Sequence, residues 1–330
     1  HAWRDAPVSV ALLTCRQLQQ RFSPLKPQYE ALGVEARLPK IEGQQLNAAA
    51  MRALIGDVDC VIAGDDEIDA SVIGAGKNAR LRAIVKWGVG TDSIDKAAAE
   101  RLGVPIYNTP GVFGDEVADL AMALLLDVVR RVSLMNRAIR DGGWVRMEGR
   151  TLAGKTAGVI GLGSIGQGIA RRVQGFGMQA LGCDVRRLAA GDAPGLRQVE
   201  LAELLGASDV VLLACNLTPE NRHLLNEDTI AAMKPGAIIV NVSRGPLIDE
   251  AALARALESG NIGAAGLDVF ETEPLPAQSP LRRFDQCVFT AHAGSSTEEA
   301  IARINQMTSD ILFHVLGLKP DLGFTPNRVA

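Results

Sequence analysis

Short apolar segments alternate with segments of helical periodicity along most of the chain. In the first third, this pattern predicts buried strands at 8–13, 59–64, 81–87 and 104–108. A second series predicts strands at 155–161, 178–184, 209–215, 237–243, 262–269 and 286–291. Strands that are apolar throughout and separated by helices are typical of a parallel sheet covered on both faces. The pattern therefore predicts an α/β fold with two doubly wound domains.

A long amphipathic segment lies between the two series of strands. Asp115 is a favourable first residue for a helix, and apolar residues recur at helical spacing as far as Gly142. We therefore expect one helix from Asp115 to Gly142 that connects the domains. A final helix from about Thr297 to Gly317 is expected to return to the first domain. The predicted domains are then 1–108 with 297–330, and 109–296.

Composition and charge exclude several classes of protein. The chain is 47% hydrophobic, and its net charge of −4 gives no general attraction for nucleic acid or an anionic membrane. The apolar run "LAMALLLDVV" is interrupted by Asp127 and is too short to span a bilayer. The 5 cysteines show no metal-binding spacing, so we expect no metal site. With no secretion leader apparent, free thiols are typical of a cytoplasmic protein.

A glycine motif follows the first strand of the second series. Gly161, Gly163 and Gly166 form G-x-G-x-x-G between that strand and a helix, which is the arrangement that binds a dinucleotide pyrophosphate. The next strand ends at Asp184, where a carboxylate accepts hydrogen bonds from the ribose hydroxyls. This carboxylate would repel a 2′-phosphate, so the sequence favours NAD over NADP. Arg186 and Arg187 leave some affinity for NADP open.

Four side chains with chemical potential stand at or just beyond the ends of successive predicted strands. They are Arg244 in "VNVSRGPLIDE", Asp268 and Glu273 in "GLDVFETEPLP", and His292 in "VFTAHAGSST". Each alone has an ordinary structural explanation, because surface arginines and loop acids are common. Their joint position at the edge where doubly wound sheets bind ligands indicates a site.

The chain resembles the D-isomer-specific 2-hydroxyacid dehydrogenases, the family that includes phosphoglycerate dehydrogenase and hydroxypyruvate reductase. The similarity covers nearly the whole chain and includes "GVGTDSID", "NTPGVFGDEVADLAMALLL", "NLTPENRHLLN", "MKPGAIIVNVSRGPLIDEAAL" and "GLDVFETEPLP". The resemblance implies a flavodoxin-like substrate domain and an NAD-binding Rossmann domain. It also implies an enzyme that interconverts a 2-keto acid and a D-2-hydroxy acid by hydride transfer.

The resemblance assigns the catalytic roles to three residues. His292 is expected to donate a proton to the carbonyl oxygen, and Glu273 to orient the imidazole and favour its protonated form. Arg244 is expected to bind the substrate carboxylate and polarise the carbonyl. Backbone N–H groups of Gly88, Val89 and Gly90 are expected to complete the carboxylate site from the other domain.

The same resemblance assigns the cofactor contacts. Asp268 is expected to hydrogen-bond the nicotinamide carboxamide. The expected contact positions around the rest of NAD are the glycine motif with Ser164, Ile165, Asp184, Cys215, Thr218, Val242, Ser243 and Gly294.

Two departures from the family pattern affect the interpretation. The family usually has proline before the catalytic histidine and often isoleucine after it, whereas here both neighbours are alanine. Phosphoglycerate dehydrogenases commonly carry an arginine near "GDD" (64–66), where this chain has Asp65 and Asp66. Two carboxylates would oppose a phosphorylated substrate, which favours a small unphosphorylated 2-keto acid such as glyoxylate or hydroxypyruvate.

Two other functions use the same scaffold. Phosphite dehydrogenases usually place a lysine where Val89 stands, and Lys86 is three residues too early to replace it. A dinucleotide-sensing protein, similar to the transcriptional corepressors of this fold, would bind NAD without turnover. In relatives, the segment from Asp115 forms an arm that packs on a second subunit, so the resemblance also implies a homodimer.

Overall fold

The computed structural model describes residues 8–189 and 191–330. The chain forms two compact units, His1–Val112 with Thr297–Ala330, and Phe113–Ser296. The sequence pattern put this boundary after Asn108. The next residues stay with the first unit because the N–H and hydroxyl of Thr109 both donate to the Gly88 carbonyl, each at 3.1 Å. Arg303 also donates to the carbonyl of Val112 at 2.6 Å.

The strands and helices of the described residues follow in chain order. The strands are β1 Ser9–Leu13, β2 Val34–Arg37, β3 Cys60–Ala63, β4 Ala83–Lys86, β5 Ile106–Asn108, β6 Thr156–Ile160, β7 Gln179–Cys183, β8 Leu196–Gln198, β9 Val210–Leu213, β10 Ala237–Asn241, β11 Ile262–Leu267, β12 Cys287–Phe289 and β13 Asn327–Arg328. The helices are α1 Arg16–Gln20, α2 Lys26–Ala31, α3 Ala48–Leu54, α4 Ala70–Ala79, α5 Lys96–Leu102, α6 Gly114–Arg130, α7 Val132–Arg140, α8 Ser164–Gly175, α9 Leu201–Ala207, α10 Glu227–Ala231, α11 Glu250–Ser259 and α12 Glu298–Val315. No helix in this described part of the chain is long and apolar enough to cross a bilayer.

The first unit is built on a sheet with the strand order β13-β5-β4-β3-β1-β2. Its five parallel strands have the flavodoxin order, in which the chain reverses direction across the sheet between β1 and β3. β13 adds an antiparallel strand on β5. α12 packs on β3 and β4, and Tyr29 is buried between Phe22 and Phe313 in edge-to-face contacts. The C-terminal helix therefore completes the core of the N-terminal sheet.

The second unit is built on a parallel sheet with the order β12-β11-β10-β9-β6-β7-β8. This is the Rossmann order with one further strand at the β11 edge. α6 packs on β10, β11 and β12 and α8 on β6 and β7, while α9 and α11 also contact the sheet. The carboxyl ends of β10, β11 and β12 are therefore adjacent. The prediction of two doubly wound domains, flavodoxin-like and Rossmann, is confirmed.

The prediction of one helix from Asp115 to Gly142 is wrong. α6 ends at Arg130, Arg131 has a φ of 54°, and α7 begins at Val132. Asp127 explains the break, because its carboxylate accepts the N–H of Ser133 at 2.7 Å in the first turn of α7. A side chain that satisfies a free N–H at a helix start stabilises a new helix there. The apolar spacing continues across this break and does not reveal it.

Three of the strands that the structure describes were not predicted from the sequence. β2 (VEAR) and β8 (LRQ) are short edge strands with charged residues, and β13 has two exposed residues. The apolar pattern detects strands that are buried on both faces, so it does not detect these three.

Candidate active site

The glycine motif forms the turn between β6 and α8. Gly161 has a φ of 91°, and a Cβ on it would lie 2.4 Å from the backbone nitrogen of Cys215. A Cβ on Gly166 would lie 1.8 Å from the carbonyl oxygen of Gly161. Backbone crowding therefore accounts for the glycines at both positions.

Gly163 differs from the other two glycines because it has space around it. A Cβ at this position would meet no heavy atom within 4 Å. Gly163 is also the N-cap of α8, and no side chain caps this helix. Ser164 and Ile165 begin the helix beside it. A helix N-terminus with room in front of it fits a pyrophosphate, so these residues can hold a dinucleotide.

Asp184 follows β7 and is fixed against the glycine motif. Its Oδ2 accepts the N–H of Leu162 at 2.7 Å, and its Oδ1 accepts the N–H of Arg186 at 2.8 Å. The side chain of Asp184 is 12% exposed, whereas that of Arg186 is 73% exposed with Nε 3.9 Å from Oδ1. Each carboxylate oxygen keeps a lone pair that can accept a ribose hydroxyl.

The backbone of Cys215 packs against Gly161. Burial raises the pKa of its thiol to about 11, and the charge of Asp184 acts in the same direction. The thiol is therefore neutral at physiological pH and offers an uncharged surface. The hydroxyl of Ser243 donates to the carbonyl of Cys215, and Thr218 caps the short turn Pro219–Asn221. Val242 is buried at the end of β10.

His292 and Glu273 form a hydrogen-bonded pair. Nδ1 of His292 lies 2.8 Å from Oε2 of Glu273, and the side chains are 25% and 22% exposed. An ionised carboxylate only accepts hydrogen bonds, so Nδ1 carries the hydrogen that bonds to Glu273, and proton exchange with a substrate would use Nε2. The other oxygen of Glu273 accepts the N–H of Phe270 at 3.1 Å, which fixes the carboxylate.

Asp268 holds the loop that carries His292. It is 1% exposed, and its carboxylate accepts the N–H of Ala293 at 2.7 Å, the N–H of Gly294 at 3.0 Å and the hydroxyl of Thr290 at 2.6 Å. Its carbonyl accepts the N–H of His292 at 2.8 Å. The sequence predicted a contact with the nicotinamide for Asp268, but it did not predict this role in the loop. His292 itself has a φ of 50° within the loop.

Arg244 follows β10, and a buried asparagine shapes its turn. Asn241 is 1% exposed, donates from Nδ2 to the Arg244 carbonyl at 2.9 Å and accepts the N–H of Ser243 at 3.0 Å. Its carbonyl accepts the N–H of Asp268 at 2.9 Å. Asn241 therefore joins the strand ends that carry Arg244 and Asp268. The sequence analysis did not single it out, although an asparagine that ends an apolar strand was a usable signal.

The turn after Arg244 packs directly on the loop before Glu273. A Cβ on Gly245 would lie 1.8 Å from the carbonyl carbon of Phe270 and 2.4 Å from the nitrogen of Glu271. Only glycine allows this approach. The three predicted catalytic side chains therefore follow adjacent strands β10, β11 and β12, on turns that are tied to one another.

The Gly88–Gly90 loop lies in the first unit, after β4. The carbonyl of Gly88 accepts the two hydrogen bonds from Thr109, and the carbonyl of Val89 accepts Nδ2 of Asn108 at 2.7 Å. These bonds engage carbonyl groups of the loop. The bonds that hold the loop therefore use its carbonyl oxygens. A substrate carboxylate would instead bind N–H groups, so these bonds do not compete with it.

The sequence analysis expected both carboxylates at 64–66 to oppose a phosphorylated substrate, but the structure gives them different roles. Asp66 is 1% exposed and accepts the hydroxyl of Thr14 and the N–H groups of Leu46 and Gly64. Burial raises the pKa of its carboxyl. Asp65 pairs with Lys86, whose Nζ lies 2.8 Å from Oδ1 of Asp65. Asp66 therefore has a structural role, and the charge of Asp65 is largely balanced.

Comparisons with known proteins identify the family of the chain. The family described as "D-isomer specific 2-hydroxyacid dehydrogenase, NAD binding domain" matches residues 122–294. The chain is 41% identical over 254 residues to a glyoxylate reductase of Korarchaeum cryptofilum. The aligned region covers 75% of this chain and 76% of that protein. It is 38% identical over 285 residues to a hydroxypyruvate reductase of Thermotoga maritima, and here the aligned region covers 84% of this chain and 92% of that protein.

A solved structure gives the same result for the fold. The apo-structure of D-lactate dehydrogenase from Escherichia coli superposes with a TM-score of 0.82 at 32% identity, covering 98% of this chain and 100% of that one. These proteins support the dehydrogenase prediction and do not support the corepressor-like or phosphite dehydrogenase alternatives. The chain belongs to the D-isomer-specific 2-hydroxyacid dehydrogenase family and is an NAD-dependent oxidoreductase of that family.

Proposed function

We propose that the chain reduces small, unphosphorylated 2-keto acids such as glyoxylate or hydroxypyruvate with NADH to the 2-hydroxy acid, which is the D-isomer where C2 becomes chiral. The observation that carries this proposal is the His292–Glu273 pair, with Nδ1 2.8 Å from the carboxylate. The pair lies in the loops that follow β12 and β11, and β11 is the neighbour of β10, which precedes Arg244. An imidazole oriented by a carboxylate, with an arginine on the turn after another strand of the same sheet, suits proton transfer to the keto oxygen of a 2-keto acid.

In the proposed reaction, Nε2 of His292 donates a proton to the carbonyl oxygen of the substrate. Glu273 fixes the imidazole through Nδ1 and stabilises its protonated form. NADH, when bound, supplies the hydride. In the direction of oxidation, His292 takes the proton of the hydroxyl group as a general base.

Arg244 is proposed to bind the substrate carboxylate, because a guanidinium matches a carboxylate with two parallel hydrogen bonds. It also withdraws electron density from the neighbouring carbonyl. N–H groups of the Gly88–Gly90 loop are proposed as further carboxylate donors. The hydrogen bonds that hold the carbonyls of Gly88 and Val89 support this role.

The cofactor contacts predicted from the sequence are kept as proposals. Gly163, with Ser164 and Ile165 at the start of α8, would hold the pyrophosphate, and Asp184 the adenosine ribose. Asp268 would accept a hydrogen bond from the nicotinamide carboxamide in addition to its bonds within the loop. The other proposed contacts are Gly161, Gly166, Cys215, Thr218, Val242, Ser243 and Gly294.

The proposed substrate class rests on two observations. A glyoxylate reductase and a hydroxypyruvate reductase are among its relatives, at 41% and 38% identity. The "GDD" segment (64–66) also contains no cation to bind a phosphate, and the Lys86 ammonium is already bound to Asp65 and to the Gly64 carbonyl.

A panel of 2-keto acids, run in parallel with NADH and NADPH, tests the substrate and the cofactor together. We expect the highest kcat/KM with glyoxylate or hydroxypyruvate and NADH, and lower values with 3-phosphohydroxypyruvate. Tight NADH binding without turnover of any keto acid would contradict the proposal and support a sensing function. A preference for NADPH would show that Arg186 and Arg187 outweigh Asp184.

We also propose a cytoplasmic location, which is consistent with the 5 free cysteines.

We further propose a homodimer that forms through the α6–α7 segment. No residue of α7 is buried, and Val132, Ile139 and Trp144 are 53%, 52% and 81% exposed. A cavity of about 570 Å³ lies between the end of α6, α7 and edge strand β12, and Leu134 and Arg137 of α7 line it. Several exposed apolar side chains on one segment are typical of an interface.

Replacement of Ile139 by aspartate should shift the dimer to monomer, because a charge in an apolar interface is costly to desolvate. Sedimentation velocity at micromolar concentration measures the mass of both forms. Asn78→Asp adds the same charge on the exposed surface of α4 and should leave the dimer intact. A monomeric wild-type protein under these conditions would contradict the proposed dimer.

A further inference from the structure

His223 lies outside the predicted site and contacts both of its loops. Its N–H donates to the carbonyl of Pro246 at 2.8 Å, two residues after Arg244. Its Nε2 lies 2.5 Å from Oε1 of Glu271, two residues before Glu273. The Glu271 carboxylate only accepts hydrogen bonds, so Nε2 is the donor. One residue thus connects the turn of Arg244 to the loop of Glu273.

The backbone at His223 is also unusual. Its φ is 53°, a region that few residues other than glycine adopt. Strain of this kind persists where surrounding contacts fix the residue, and it is frequent at functional sites. Here the carbonyl of His223 accepts Nδ2 of Asn226 at 3.1 Å, which helps to hold the conformation. The imidazole is 36% exposed, so its burial contributes little.

Two further contacts make the Glu271 end of this connection rigid. The N–H of Glu271 donates to Oε1 of Glu250 at 2.7 Å. Burial raises the pKa of Glu250, and the charges of Glu271 and Glu273 contribute in the same direction. Gly245 packs against the peptide between Phe270 and Glu271. Small movements of Glu271 are therefore transmitted to the turn of Arg244 and to Glu273.

We propose that His223 is a positioning residue for the reaction, because its bonds to Pro246 and Glu271 fix Arg244 and Glu273 relative to each other. This inference rests on the proposed function. His223 does not itself contact the reacting atoms in this role. Its imidazole instead sets the orientation of the His292–Glu273 pair, and displacements of about 1 Å in such a site cost up to about a hundredfold in rate.

Two substitutions separate this role from a contribution to stability. Asparagine tolerates the left-handed backbone of His223 but is too short to reach Glu271, whereas glutamine can reach Glu271 but fits that backbone poorly. We expect His223→Asn to lower kcat by about tenfold to a hundredfold with a Tm close to that of the wild type. We expect His223→Gln to have the lower Tm but a kcat close to the wild-type value. NADH affinity should stay unchanged in both variants.

Glu271→Ala should reproduce the effect of His223→Asn, and the double variant should lose no more activity than either single one. Losses of kcat that follow the order of Tm, or that multiply in the double variant, would overturn the proposal. The downfield proton NMR signal of His292 Nδ1–H gives a readout without turnover, and we expect it to weaken in His223→Asn. A wild type that reduces no keto acid would refute the proposed function, while an unchanged signal in His223→Asn would refute only the positioning role.

Discussion

His292→Asn is expected to lower kcat for keto-acid reduction by about 10²–10⁴-fold, the usual contribution of a general acid. Asparagine accepts the φ of 50° at this position, and its amide can donate to Glu273 in place of Nδ1. The substitution therefore keeps the backbone and the contact with Glu273 while it removes Nε2. Steady-state kinetics with NADH and the best keto acid measure the loss.

Two controls define this result. NADH affinity, measured by fluorescence titration, should stay close to the wild-type value because, in the proposed reaction, His292 contacts the substrate and not the cofactor phosphates. Glu273→Gln keeps an oxygen that accepts from Nδ1 but removes the charge, so its loss of kcat should be smaller. A His292→Asn variant with more than about a tenth of the wild-type kcat would contradict the role of His292 as the acid.

Gly245→Ala is expected to have the largest effect on stability among single-methyl changes in the site. The added Cβ would lie 1.8 Å from the carbonyl carbon of Phe270, so the two loops must separate. Overpacking of this kind costs about 1–3 kcal/mol of the free energy of unfolding and sometimes more. Separation of the loops also displaces Arg244 and Glu273, so kcat should fall with stability. Urea denaturation and steady-state kinetics measure the two effects.

Two other glycines provide matched comparisons. Gly206 lies in α9, where a Cβ would have its nearest neighbour 3.9 Å away, so Gly206→Ala should stabilise the protein by about 0.5–1 kcal/mol. Gly163→Ala should fold normally but bind NADH more weakly, because its methyl group enters the space in front of α8. Equal stability of Gly245→Ala and the wild type would contradict the close contact between the loops.

The positions of most strands along the chain and the fold class follow from the apolar pattern, because most strands are buried on both faces. The helix break at Arg131 does not follow from it, because Arg131 is neither glycine nor proline and the apolar spacing continues into α7. The break depends on the bond from Ser133 to Asp127. Short-range capping by a carboxylate inside an apolar segment is easily missed by a periodicity analysis.

Some residues of the candidate site can likewise be predicted from the sequence, and others cannot. Arg244, Glu273 and His292 could be selected because they follow strands of one sheet, and a strand end is visible in the sequence. His223 and Glu271 are 48 residues apart in polar loops, and nothing in either loop indicates that they meet. The pairing of Lys86 with Asp65 is similar, because the apolar pattern placed Lys86 in a buried strand without its partner.

The hydrogen bonds of Asp268 also determine how freely the loop that carries His292 can change during evolution. Asp268 holds His292, Ala293 and Gly294 through their backbone N–H groups, so the conformation depends little on the side chains at 291 and 293. Proline at 291 would break none of these bonds, whereas proline at 293 would remove one. The two alanines therefore stand at positions where relatives can diverge, and where new side chains can be introduced without rebuilding the loop.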